Sequence, residues 1–165
     1  GLVFQYPEYQ LFEETVRQDV AFGPKNLGLP QDEIDRRVAA ALKAVGLEDA
    51  AEKYPSEISG GMQKRAGLAR AIVCDAEVIL YDEPTSGLDP VTSAQITRLI
   101  RDVNRTRGVT SVVVTHDLVS AFRIASRVLL VKDGRAVVCL TPEEFRKSDN
   151  PEARAFLAAT RGEDL

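Results

Sequence analysis

Two carboxylates stand side by side in this chain, Asp82 and Glu83, directly after the apolar run Val78-Ile79-Leu80-Tyr81, and a third, Asp89, follows one turn later. An apolar run of this length predicts a buried strand of a parallel sheet. Ligands of open α/β sheets gather outside the carboxyl ends of the strands, where these acids would sit. Neighbouring side chains at a strand end face different ways, so the two acids can divide the work. One can hold a hard cation through oxygen while the other orients or deprotonates a water. The competing reading is a charged turn after a core strand, and it loses ground because other stretches point to the same chemistry. His116, the single histidine, ends a second apolar run at the same level. A lone histidine is more often satisfied packing, but its place at a strand end shifts the balance toward function. Gln5 follows the strand-like GLVF and is either a polar exit from the core or a side-chain oxygen aimed at a cation. Ser59-Gly60-Gly61 opens a helical pattern with a good N-cap residue and unobstructed backbone. The free amides and the positive dipole end make that turn a candidate anion site, to which Lys64 and Arg65 add charge.

The elements that must position these residues follow from periodicity and punctuation. Residues 1–4 predict the end of a strand, and residues 6–12 (YPEYQLF) an aromatic loop. Residues 13–22 predict a short helix stopped by Gly23-Pro24. Gln31 to Val45 carries Ile34, Val38, Ala41, Leu42 and Val45 on one helical face, with Gly46 as the terminator. A helix is predicted from Ser59 to about Cys74, another from Val91 to Thr106 behind the Asp89-Pro90 cap, and a buried strand over Thr110–Thr115. Asp117 is placed to cap the next helix. Residues 127–132 and 135–140 predict a hairpin around Asp133-Gly134. Thr141-Pro142-Glu143-Glu144 reads as a capping box, and Asn150-Pro151 starts a last helix.

The chain has 165 residues, 44% hydrophobic and 28% charged, enough for one core or a core with a small appendage. A net charge of −4 argues against a surface spread for nucleic acid. No apolar run reaches the roughly 20 residues of a membrane span, so any membrane role runs through a partner. Cys74 and Cys139 lack metal-ligand spacing and lie in apolar stretches; they are expected as buried, reduced thiols of a cytosolic protein, with a disulfide left open.

Taken together and in order, Gln5, SGGMQ at 59–63, VILYDE at 78–83, SGLD at 86–89 and TH at 115–116 resemble the nucleotide-binding subunit of ABC transporters. The resemblance implies an α/β fold, a partial P-loop NTPase of mostly parallel sheet with a helical subdomain and its amino-terminal part missing. It implies ATP and Mg²⁺ as ligands, with Asp82 and Gln5 near the metal and Glu83 as the base for the attacking water. His116 would contact the γ-phosphate. Asp89 would face a second ATPase subunit, and Ser59, Gly60 and Gly61 would bind the ATP held by that subunit. The implied divisions are residues 1–5 (core strand end and glutamine loop), 6–57 (helical subdomain that docks on an integral membrane subunit), 58–140 (core) and 141–165 (terminal helices). The implied setting is peripheral, on the cytoplasmic face of the cell membrane, with no nucleic-acid partner.

Two departures shape the expectations. No GxxxxGK[ST] phosphate loop occurs, so the chain is expected to lack an amino-terminal segment, to expose apolar surface on the remaining sheet and to be inactive alone. The family's usual LSGGQ reads ISGGM, which leaves the Ser-Gly-Gly amides and removes one glutamine. Residues 1 to about 46 resemble the ATPases of energy-coupling-factor importers for vitamins and metal ions. From about Tyr54 onward the chain resembles the ATPases of Mla-type lipid-trafficking transporters. Two other readings are a soluble ABC-type ATPase of DNA repair or translation, and a catalytically incompetent docking fragment.

Overall fold

A computed structural model describes residues 1–161, so the last four positions of the 141–165 segment lie outside the described residues. The chain divides into two compact units, Gly1–His116 and a second beginning at Asp117.

The first unit is α/β. Strands β1 (Leu2–Val3), β2 (Val78–Asp82) and β3 (Thr110–Val114) form a parallel sheet in the order β1-β2-β3. Four helices accompany it: α1 (Val16–Asn26), α2 (Gln31–Val45), α3 (Gly60–Ile72) and α4 (Pro90–Arg107). The register pairs Leu2 with Leu80 and Asp82 with Val114, which brings the strand ends level. Helix α3 is the hub, touching α1, α2, α4 and β1. Its buried Ala66, Leu68, Ala69 and Ile72 supply the apolar faces for those contacts, while α2 contributes Ile34, Val38, Ala41, Leu42 and Val45. Gly46 ends α2 in the left-handed conformation, as a glycine at that position allows.

Three expectations need correction. Strand β2 is buried on one face only, and β3 has no fully buried residue, Ser111 and Val113 being half-buried. Ile79 and Tyr81 are inside, but Val78, Leu80, Val112 and Val114 are 45%, 46%, 48% and 62% exposed. Period-two alternation puts these four on the sheet's other face, which stays open to solvent together with Leu2. Gly23-Pro24 does not stop α1, which begins behind the Thr15 capping box and runs to Asn26. Pro24 sits inside the last turn of α1 without ending it, and a Cβ on Gly23 would lie 2.7 Å from Cys74 Sγ. That glycine serves a close approach rather than a break. Finally, Cys139 is exposed and Cys74 only partly buried; both are free thiols. Cys139 falls on the outward side of its strand, where an apolar neighbourhood in sequence does not mean burial.

The second unit contains α5 (Leu118–Ile124), capped by Asp117, then the antiparallel pair β4 (Val128–Lys132) and β5 (Arg135–Leu140), α6 (Pro142–Arg146) and α7 (Pro151–Arg161). Asp133 and Gly134 both have positive φ, as the tight hairpin turn requires. Leu118, Phe145 and Ala153 form its small core, with Phe122, Val128, Leu130, Val138 and Leu157 packed around them.

Candidate active site

The carboxyl end of the parallel sheet gathers four of the predicted residues. Asp82 closes β2 on its exposed face, and Glu83 follows with a φ of 43°, a left-handed backbone that a non-glycine residue rarely adopts. The Glu83 amide donates to the Val114 carbonyl at 2.9 Å, extending the ladder by one residue and turning the side chain toward the end of β3. There Glu83 Oε1 accepts from the His116 amide at 3.0 Å and lies 2.8 Å from His116 Nδ1, while Oε2 accepts from Thr115 Oγ1 at 3.1 Å. The Glu83 side chain is 16% exposed and the His116 ring 76%, so a covered carboxylate orients an open imidazole. A carboxylate accepts, so the contact favours the tautomer with its proton on Nδ1.

Gln5 joins this group through its side chain and its backbone. Its Nε2 donates to Ser86 Oγ at 3.3 Å, which leaves Oε1 as an oxygen acceptor. Buried Lys64, one turn into α3, donates to the Gln5 carbonyl and lies 3.4 Å from the Glu83 carbonyl. Thr115, Ser86 and Lys64 were not singled out as site residues from sequence. A Ser in the turn after Asp82-Glu83 and a hydroxyl before the lone His carry some signal, whereas in the sequence Lys64 is only a charge near a helix start.

Ser59, Gly60, Gly61 and Asp89 form a second group, where the starts of α3 and α4 meet. Ser59 caps α3 by accepting from the Met62 amide at 3.3 Å. Asp89 caps α4, with Oδ1 accepting from Val91 and Thr92 amides and Oδ2 from Thr92 Oγ1 at 2.5 Å. The Thr92 hydroxyl is the main reason its carboxyl is held below the usual carboxylate range. A Cβ on Gly61 would lie 2.6 Å from Thr92 Cγ2, and one on Gly60 would lie 4.0 Å from Leu88 Cδ2. The two helix starts are therefore packed so closely that Gly61 has a structural reason of its own. The first amides of α3 have no intrahelical partner and remain suited to an anion. Gln63, next to the glutamine that is missing from the signature, is committed to the Pro55 carbonyl at 3.0 Å.

No cluster of three or more His, Cys, Asp or Glu side chains fit to hold a metal is present among the described residues. The oxygen donors at the strand ends, the Asp82 carboxylate and the Gln5 amide, suit Mg²⁺, which is bound by one or two protein oxygens plus waters and phosphates. These donors fit the metal the family implies.

The carboxyl end of this parallel sheet thus presents paired acids, a glutamine and a histidine at one level. Residues 1–86 match the ABC transporter family, and the chain belongs to that family. It is similar to the energy-coupling factor transporter ATP-binding protein EcfA of Methanocaldococcus jannaschii, 46% identical over 87% of this chain and 51% of that protein. It is also similar to EcfA2 of Clostridium tetani, 42% identical over 96% of this chain and 56% of that one. The chain thus spans about half the length of the curated relatives it matches. Among solved structures it resembles cbiO1 of Clostridium perfringens, described as part of the ABC transporter complex cbiONQ, with a TM-score of 0.83. That match has 36% identity and covers 96% of this chain and 66% of that one.

Proposed function

We propose that this chain carries part of the ATP-hydrolysing site of an ABC transporter subunit, completed by a phosphate-binding loop and by the signature residues of a second ATPase subunit. The observation that carries the reading is the Glu83–His116 contact at 2.8 Å, level with Asp82 at the carboxyl end of the sheet. Glu83 accepts a proton from the attacking water as that water bonds to the γ-phosphorus; the bond to the leaving ADP oxygen breaks. Glu83 also holds the His116 Nδ1 proton, so that Nε2, once protonated, donates to the γ-phosphate oxygens. Asp82 and Gln5 would hold Mg²⁺, which when bound neutralises charge on the transferring phosphoryl group. Positioning and charge stabilisation supply most of the catalysis in such transfers. Ser59, Gly60 and Gly61 present the α3 amides to the nucleotide of the opposite subunit, and Asp89 shapes the turn beside them. The 165 residues contain no GxxxxGK[ST], and we expect negligible phosphate release from them alone.

On the transported cargo, similarity to EcfA proteins at 46% and 42% identity supports an importer for a vitamin or metal ion with a peripheral ATPase on the cytoplasmic membrane face. The stretch from Tyr54 onward, with SGGM in place of SGGQ, favours the lipid-transport reading. None of the helices among the described residues is long and apolar enough to cross a membrane, and both readings include an integral membrane partner. Co-purification decides between them: a vitamin-importer scaffold supports the first, and a lipid-transport permease supports the second. For the hydrolysis itself, Glu83→Gln in the full-length subunit should keep nucleotide binding and slow hydrolysis at least about 10²-fold, the scale of general-base catalysis. Turnover near the parent rate removes Glu83 from that role.

A further inference from the structure

Lys64 is the one lysine buried in the first unit's core at the level of the site, with 5% of its surface exposed. Lysine offers three donors and no acceptor, and an ammonium taken out of water must be held by oxygens. Among those holding it are the carbonyls of Gln5 and Glu83, the latter 3.4 Å away. These are backbone atoms of two residues to which the hydrolytic reading gives chemical work. The remaining contacts of Glu83 make the arrangement specific. Its φ of 43° is disfavoured for a residue with a Cβ. Its amide is fixed by the Val114 carbonyl and its carboxylate by Thr115 and His116. Lys64 takes the carbonyl, so the peptide units before and after Glu83 are both tied. Gln5 is tied in parallel, by Lys64 at its carbonyl and by Ser86 at its amide.

The helix that supplies this ammonium matters as much as the contact. Lys64 is five positions from Ser59, on the same α3 whose first turn holds Gly60 and Gly61. From these contacts we infer that Lys64 is a positioning residue for hydrolysis: its ammonium holds the backbones of Gln5 and Glu83 in register with α3. The inference rests on the hydrolytic reading of Glu83 given above. A rigid helix anchored at one end beside the signature turn and clamped to the base one turn later carries displacement of that turn to the Glu83 backbone. Side-chain packing alone would not need an ammonium there, since a buried methylene stem fills the same space without the cost of desolvating a charge.

The test uses the full-length subunit in its transport complex, with Lys64→Met, Lys64→Gln and, in parallel, Glu83→Gln. Lys64→Met keeps the stem and removes the donors. It should leave the melting temperature unchanged or raised and the KM for ATP within about twofold, while kcat falls about tenfold, the effect of misplacing a reacting group slightly. Lys64→Gln, which keeps a donor on a shorter stem, should retain more kcat than Lys64→Met. The second readout is the NMR signal of the His116 ring, identified by its loss in His116→Gln; because the ring lies 2.8 Å from Glu83, Lys64→Met should shift it. A Lys64→Met enzyme with kcat within twofold of the parent, or equal losses in both Lys64 variants with the His116 signal unmoved, overturns the inference. Should Glu83→Gln hydrolyse at the parent rate, the hydrolytic reading fails, and the His116 signal alone then decides whether Lys64 positions Glu83.

Discussion

Gly61→Ala offers a stringent test of the packing between the starts of α3 and α4. An added Cβ would sit 2.6 Å from Thr92 Cγ2, about 1 Å inside a comfortable carbon–carbon contact. The threonine cannot simply rotate away, because its Oγ1 is bonded to Asp89 Oδ2 at 2.5 Å and that carboxylate also caps α4. Forcing the helices apart instead costs about 1–3 kcal/mol as overpacking. Helix propensity returns at most about 1 kcal/mol for the Gly-to-Ala change. The net expectation is a loss of up to about 2 kcal/mol, read as a lower urea midpoint with unchanged slope. Thr92→Ser removes Cγ2 and keeps the hydroxyl for Asp89, so the double variant should recover to within about 0.5 kcal/mol of Thr92→Ser alone. If Gly61→Ala is as stable as the parent, or Thr92→Ser does not rescue it, the close approach is not what requires glycine here. Gly61 would then be left to its proposed contact with nucleotide.

Tyr81 is buried with its hydroxyl directed toward Ser111 but lacking a hydrogen bond of normal geometry, and burial pushes its phenol up to about 12. Tyr81→Phe should therefore be neutral or stabilising by up to about 1 kcal/mol in urea titrations, and a clear destabilisation would mean the hydroxyl is partnered. Asp19 is fully buried and accepts from the Phe12 amide at 3.1 Å, the Glu13 amide at 3.3 Å and Arg70 Nη1 at 2.9 Å. Asp19→Ala strands these donors and should cost about 3–5 kcal/mol; a cost below about 1 kcal/mol in the same titration would contradict the bonding. Hydrogen bonds from Arg36 and then Arg37 hold the Glu33 carboxyl down at about 2. A depressed carboxylate stabilises the fold above its ordinary value near 4.5 and loses that contribution as the pH falls toward about 2. Glu33→Gln should thus melt slightly lower than the parent near neutral pH, with the difference gone by about pH 2; a gap that persists there would rule out the titration as its source.

The loop after the glutamine illustrates how the first unit converts sequence into a fixed surface. Arg70, on α3, reaches the Gln10 carbonyl and the Asp19 carboxylate and lies over the rings of Phe12 and Phe22, 5.0 and 5.7 Å from their centroids. The planar guanidinium can bond at its edge and stack on its face at once, which a lysine cannot do. With Lys64 and Arg70 both engaged, α3 grips the Gln5–Phe12 segment at each end.

Local chemistry decided much of this protein in advance. The extent of α2, the Ser59, Asp89, Asp117 and Thr141 caps, and the Asp133-Gly134 hairpin all stand where short-range patterns put them. Each depends on residues within about four positions, so sequence spacing and structure coincide. The same holds for Asp82, Glu83 and His116, because adjacent parallel strands end level and carry their terminal residues together. Only the tertiary structure decided that Gly23 serves an approach to Cys74, that Gly61 faces Thr92, and which residues line the open side of the sheet. It alone brought Lys64 to the backbones of Gln5 and Glu83, 59 and 19 positions away. These depend on which surfaces meet, and a hydrophobic pattern specifies the face of a helix or strand without specifying what will lie against it.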